Sequence, residues 1–293
     1  MPLMCNCLYK KGLLLVLLIP NLLNCKAQNK PYNRINSSAD SIGLFKEFIQ
    51  ACNLYKQVPL QLQLNIVNTT NFNFPQQVID IDTVPQKVQF YLNEKASYVS
   101  MNYIEQYVSD SIAIIIINQN KQIRLYNNVQ PIKEKMNKMM GLVFQDSSIL
   151  SVAEQFVIGK KNTPNNDVLQ YLLESKSSIY NTNIPKLSIA MSYAKTSKNP
   201  IEVVKITRSL QVLDSTLKQQ IIERNNPADI IVQANNKYYL LVEQTTTYQY
   251  TSIQHQPNFT IPFMVSNVVQ KNSGAKYQPI LSYKEYTLTQ SNY

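Results

Sequence analysis

A chain of 293 residues with 28 Lys+Arg against 18 Asp+Glu carries a formal charge of +10, yet it holds one His, no Trp and five Gly. A zinc site built on two imidazoles is therefore excluded, and five glycines cannot supply both the tight turns of a large enzyme and a phosphate-cradling loop. Asn (32) and Gln (27) together make about one residue in five a neutral amide, while 44% hydrophobic content excludes a fully disordered chain.

Residues 1–27 read as a targeting segment. Lys10 and Lys11 form a positive flank, and Gly12 to Leu23 is apolar apart from Asn21. That run is too short to cross a hydrocarbon core of roughly 30 Å as a helix. Cys25-Lys26-Ala27 offers a small-residue cleavage site before Gln28. A second reading treats Leu22-Leu23-Asn24-Cys25 as a lipoprotein box, in which Cys25 is lipidated and residues 28–37 become a flexible spacer. Both readings place the chain outside the cytoplasm, in the periplasm or cell envelope, with membrane contact only through an anchor at Cys25. No later stretch is long and apolar enough to span a membrane.

The folded part, 38–293, is expected to be one α+β domain. Ile42, Phe45, Phe48, Ile49 and Cys52 recur at spacings of three and four after Ser38, Asp40 or Ser41 as cap, which predicts an opening helix. Cys52 is read as a buried inert thiol, with a reactive thiol as the alternative. Leu60, Leu62, Leu64 and Ile66 alternate with Gln61, Gln63 and Asn65, so a strand with one buried face follows. Val88, Phe90 and Leu92 mark a second, and 97–103, 112–118 and 122–126 continue the pattern, with Asn118 to Lys121 as a hairpin turn. Ile112 to Ile117 is apolar on both faces and belongs in a sheet interior with cover on each side.

Pro131 then suits the first turn of a helix striped by Ile132, Met136, Met139, Met140 and Val143. The three methionines make an adaptable surface, either core packing or a lid over ligands of variable shape. Gly159 to Asn166 is the candidate internal linker. Beyond it, Ile201 to Leu213 is rich in β-branched residues, and Ile230 to Val232 leads through Asn235-Asn236 into Tyr238 to Tyr250 as a hairpin. Pro262 to Val269 is assigned a short helix and Ile280 to Leu288 a closing strand.

Chemistry is sparse. His255, the one imidazole, sits in the polar segment Gln254-His255-Gln256-Pro257, and no strained Gly-x-Ser-x-Gly elbow surrounds a serine. Asp80 and Asp82 lack the further oxygens that a calcium loop needs, so no metal site is assigned. No cofactor and no catalytic residue are assigned either. With Cys5, Cys7 and Cys25 in the targeting segment, Cys52 has no disulfide partner, and the fold must rest on its core. Removing the targeting segment leaves 25 basic against 18 acidic residues. They are scattered without a basic run, which describes a solvated surface and no nucleic-acid groove.

The order and character of residues 60–127 resemble the periplasmic lipoprotein-carrier (LolA-like) superfamily. The resemblance rests on the amphipathic strand Leu60 to Ile66, then Val88-Gln89-Phe90-Tyr91-Leu92 and a short hairpin through Tyr98-Val99-Ser100-Met101. Val108-Ser109-Asp110-Ser111 then precedes Ile112 to Ile117, with Lys121-Gln122-Ile123-Arg124-Leu125 after it. Ser111 stands where the family carries a glycine. The resemblance implies a curved, largely antiparallel half-barrel sheet with a few helices on its concave side. It also implies an apolar cavity that holds lipid or lipoprotein acyl chains. Leu60, Leu62, Leu64, Phe90, Leu92, Ile114 and Ile116 would then line the cavity or a filled core, with Met136, Met139 and Met140 facing them. The expected function is non-enzymatic binding of lipid or lipidated cargo. The alternatives are an envelope structural or interaction module with a filled core, and a hydrolase using carboxylates.

Overall fold

The structure is a computed structural model that describes residues 41–52, 58–71, 85–132, 149–163, 167–176, 185–224, 231–234, 237–255, 259–274 and 276–291. The targeting segment with Cys25, the spacer, Asp80, Asp82 and all three methionines of the 131–143 stripe lie outside the described residues.

The elements in chain order are α1 (Ser41–Cys52), β1 (Leu60–Thr70), β2 (Gln86–Leu92), β3 (Ala96–Met101), β4 (Ile104–Ser109), β5 (Ala113–Ile117), β6 (Gln122–Tyr126), α2 (Ile149–Gln155), β7 (Phe156–Asn162), β8 (Val168–Ser175), β9 (Lys186–Ala194), β10 (Pro200–Val212), α3 (Ser215–Arg224), β11 (Ile231–Ala234), β12 (Lys237–Gln254), β13 (Val269–Lys271), β14 (Tyr277–Pro279) and β15 (Thr287–Ser291). This is an α+β fold dominated by a largely antiparallel sheet. Its strand order is β15-β6-β5-β4-β3-β2-β1-β12-β10-β9-β8-β7, with β11 paired to β12, so β15 and β7 are its two ends. The chain forms two compact units, one of Met1–Ala51, Val67–Pro85 and Asp146–Tyr248, the other of Cys52–Ile66, Gln86–Gln145 and Gln249–Tyr293. Strands β1 and β12 each run through both.

Within the second unit, alternation does what the pattern demands. Leu60, Leu62 and Leu64 are buried on β1 and pair in register with Leu92, Phe90 and Val88 of β2. The 118–121 turn is a 3₁₀ turn at Asn118–Asn120 closed by Lys121 in the left-handed region at φ 51°. Strand β5 departs in part from expectation. Ile112, Ala113, Ile114 and Ile116 are buried but Ile115 and Ile117 are only half-buried, so cover is complete on one face alone. That cover comes from the chain's own end. Val268 and Val269 pack with Ile112, Ile114, Ile116, Ile123 and Leu125, flanked by Phe263, Tyr277, Tyr283 and Tyr286.

The first unit stacks β12, β10, β9, β8 and β7 under helices. Phe45 and Phe48 of α1 are buried, and Phe48 meets Tyr171 edge-to-face. Ile42 is 47% exposed, so the helical stripe begins one turn later than its spacing predicts. Helix α3 docks Ile221 against Leu213, Leu240 and Val242, and Lys218 sits over the ring of Tyr238.

Four assignments need correction. Residues 97–103 are not one strand: β3 turns back at Asn102 and Tyr103 into β4, which the weak alternation of Ile104 to Ser109 conceals. Residues 159–162 are no linker but the end of β7, hydrogen-bonded to β8 with Lys160 opposite Tyr171. Polar composition there reflects an edge strand, which favours charge. Pro262 to Val269 holds only a 3₁₀ turn at Val265–Asn267. The closing strand starts at Thr287, after a 3₁₀ turn at Leu281–Tyr283, and pairs parallel with β6.

Candidate functional site

The first unit's buried sheet face changes character along a row of directly opposed residues. Register sets Ile158 of β7 opposite Leu173 of β8, Leu173 opposite Ile189 of β9, and Ile189 opposite Lys205 of β10. Two contacts carry the row onward. The Leu213 N–H donates to Tyr238 O, and Arg208 Nε donates to Glu243 Oε2 at 2.6 Å, which together orient β10 antiparallel to β12. Counted along an unbroken antiparallel ladder from these two contacts, Lys205 falls opposite Thr246 and Val203 opposite Tyr248. Thr246 Oγ1 in turn donates to Asn68 Oδ1 of β1 at 2.8 Å.

The aliphatic end of the row, Ile158, Leu173 and Ile189, is buried. Its polar end, Lys205, Thr246 and Asn68, is half-buried, as are Tyr248 and Thr207 beside it. Strand alternation explains the placement: Val203, fully buried, is two residues from Lys205, so both side chains leave the same face. Burial alone pushes the Lys205 ammonium below the usual lysine range and the Tyr248 phenol above the usual tyrosine range. Among the described residues, the nearby carboxylates on these strands, Glu202 and Glu243, occupy positions of the opposite parity and so the opposite face. By that count a cation, a phenol and a threonine hydroxyl share one sheet face with buried aliphatic side chains. Such an arrangement can hold an acidic group; it contains no nucleophile–base pair.

Near the other end, Glu47 of α1 ties the helix to the sheet. Lys160 Nζ donates to Glu47 Oε2 at 2.7 Å, Tyr171 Oη donates to the same oxygen at 2.6 Å, and the Tyr171 and Tyr193 hydroxyls lie 3.0 Å apart beneath stacked rings. The Lys160 hydrogen bond, then that of Tyr171, lowers the Glu47 carboxyl below its ordinary 4.5. The folded state therefore binds this proton less tightly than the unfolded chain. The contribution is whole above the ordinary carboxylate range and is lost as pH falls through the lowered value. The Glu47 side chain is 48% exposed, so the effect is about 0.5 kcal/mol. Urea titrations from pH 6 to pH 3 (roughly spanning the carboxylate range) should show wild type losing more stability than Glu47→Gln; parallel curves would remove the linkage.

Of the residues singled out from sequence, Leu60, Leu62, Leu64, Phe90, Ile114 and Ile116 are buried and Leu92 is half-buried. All belong to the second unit, where Ile114 and Ile116 sit in the cluster closed by Val268 and Val269. His255 follows β12 and its Nδ1 donates to Pro59 O at 3.2 Å, with no carboxylate contact among the described residues. No cluster of three His, Cys, Asp or Glu able to hold a metal occurs among the described residues. A shallow concavity on α3 is lined by Ser215, Thr216, Gln219 and Glu223, a single solvent-facing stretch of helix without convergent chemistry. Lys205 and Tyr248 were not singled out from sequence. The available signal was a lone cation inside the β-branched run Val203-Val204-Lys205-Ile206, at the same parity as Val203.

No family model matches the chain, and no curated protein matches it. Among solved structures, the chain is similar to that of a DUF1329 family protein from Desulfovibrio piger, with 7% sequence identity, covering 76% of this chain and 96% of that one at a TM-score of 0.30.

Proposed function

We propose that this chain is a non-enzymatic, exported envelope protein that binds lipid or lipidated cargo against the sheet of its first unit. One observation carries the reading: the row from Ile158 to Asn68 passes from buried aliphatic to half-buried polar residues on a single face. An apolar surface edged by a few convergent polar groups is the usual make-up of a site for an amphiphile. In this reading residues 1–27 export the chain, and lipidation of Cys25 with the 28–37 spacer would tether it. Native mass spectrometry of protein purified without detergent should show co-purified acyl species. Uniformly clean apo protein, together with no uptake of added fatty acid, would sink the proposal. Incorporation of labelled palmitate into wild type but not Cys25→Ser tests the anchor separately.

A second reading, an envelope interaction module with a filled core, is favoured by the second unit. There the strand face bearing Ile114 and Ile116 is closed by the chain's own 259–286 segment. Under that reading no acyl species co-purify and the chain is recovered with protein partners.

A further inference from the structure

We propose that Lys205, with Tyr248, forms a clamp for the acidic head of an amphiphile, its carboxylate or phosphate. This deepens the binding reading above and rests on it.

Three features carry the assignment. First, Lys205 stands where alternation calls for an aliphatic side chain. Its neighbours two residues away on β10 are Val203 and Thr207, and its partner on β9 is Ile189. A lysine there costs stability unless an anion meets it, because an ammonium removed from water without a counter-charge is disfavoured. Second, the described acidic residues nearby are committed elsewhere: Glu243 accepts from Arg208 on the opposite face, and Glu47 accepts from Lys160 and Tyr171. Third, the Tyr248 hydroxyl is placed as a donor. Counted from the Leu213–Tyr238 and Arg208–Glu243 contacts, Tyr248 is the diagonal neighbour of Lys205, within reach of a long side chain. The Thr246 hydroxyl gives its one proton to Asn68, so it orders the neighbouring strands and leaves donation to Lys205 and Tyr248. A cation with a phenolic O–H beside it suits an oxyanion, since charge-assisted hydrogen bonds are the stronger kind. Burial already disfavours the charged form of Lys205; a bound anion would reverse that and hold the ammonium protonated.

The test uses the full chain and three probes: palmitate, hexadecanol of the same chain length, and inorganic phosphate. Wild type should bind palmitate about tenfold more tightly than hexadecanol, as expected for a charge-assisted hydrogen bond. Lys205→Met should erase that preference, whereas Lys205→Arg should keep it. Tyr248→Phe should weaken palmitate about threefold. Should Lys205→Met fail to fold, NMR of reductively ¹³C-methylated wild-type protein replaces it: the Lys205 signal should shift on palmitate addition and stay still with hexadecanol. An unchanged preference in Lys205→Met, or a silent Lys205 signal, overturns the clamp while amphiphile binding stands. Binding of inorganic phosphate without either amphiphile overturns the lipid source and the function above. No binding of any probe overturns both.

Discussion

Removing residues 259–293 should unfold the second unit and leave a species that aggregates and binds hydrophobic dye. Val268 and Val269 are each 2% exposed, packed on Ile114, Ile116, Ile123 and Leu125, all of which are fully buried. Phe263 stacks on Tyr107 at 4.8 Å between ring centroids and on Tyr98 at 5.4 Å. Around these rings Tyr98 Oη donates to Glu105 Oε2 at 2.7 Å, Asn118 Nδ2 to Glu105 Oε1, and Tyr286 Oη to Asn118 Oδ1. Burial, then Glu105, raises the Tyr98 phenol above its usual range, so it stays a donor throughout the physiological range. Each large apolar side chain withdrawn from water contributes about 1.5–3 kcal/mol, so losing several together approaches the whole stability of a domain, about 5–15 kcal/mol. The deletion also strips β15 from β6 and exposes a strand edge ready to pair with another chain. Far-UV circular dichroism and size-exclusion chromatography read the result. A soluble monomer with undiminished strand signal would show that the segment is dispensable.

The second large effect is expected at Phe48. It is 1% exposed, and its ring meets Tyr171 edge-to-face at 5.9 Å and 84°. Phe48→Ala removes that contact and leaves a void under α1, a change that costs about 3–5 kcal/mol in well-packed cores. Phe48→Leu keeps most of the volume and should cost clearly less. Loss of Phe48 also frees α1 to move, and with it the Glu47 carboxylate that accepts from Lys160 and Tyr171. Urea denaturation followed by tyrosine fluorescence would measure both variants. A cost below about 1 kcal/mol for the alanine variant would mean that the sheet face closes without the helix.

Legibility from sequence followed how local the cause was. The strands at 60–66 and 88–92 were readable from alternation with one apolar face, 112–117 from a continuous apolar run, and 201–213 from its β-branched content. The turn at 118–121 was readable because the polar stretch Asn118 to Lys121 interrupts two apolar strands, although its left-handed residue is Lys121. Strands β8 and β9 were missed although each alternates, since Gln170, Glu174, Ser188 and Ser192 dilute the pattern. Helix α3 was missed because its apolar contribution is a short one, with Ile221 buried and Ile222 46% exposed. For the candidate site the limit is different. Lys205 and Tyr248 are 43 positions apart in the chain, and no local pattern relates them.

The sequence by itself determined the class of this protein. One His leaves no pair of imidazoles for a zinc site, and period-two alternation dictates a sheet with one apolar face. Tertiary structure alone decided what covers that face and which residues meet on it. The backbone ladder sets Asn71 beside Leu241 and Glu243, pairs the last strand parallel with β6, and lays Val268 and Val269 over Ile114 and Ile116. Such partners are chosen by which buried surfaces complement each other over the whole chain, a non-local quantity that no window of residues contains. Sheet pairing likewise decided that Lys205, a stray cation in a β-branched run, stands opposite Ile189 on the face that buries Val203.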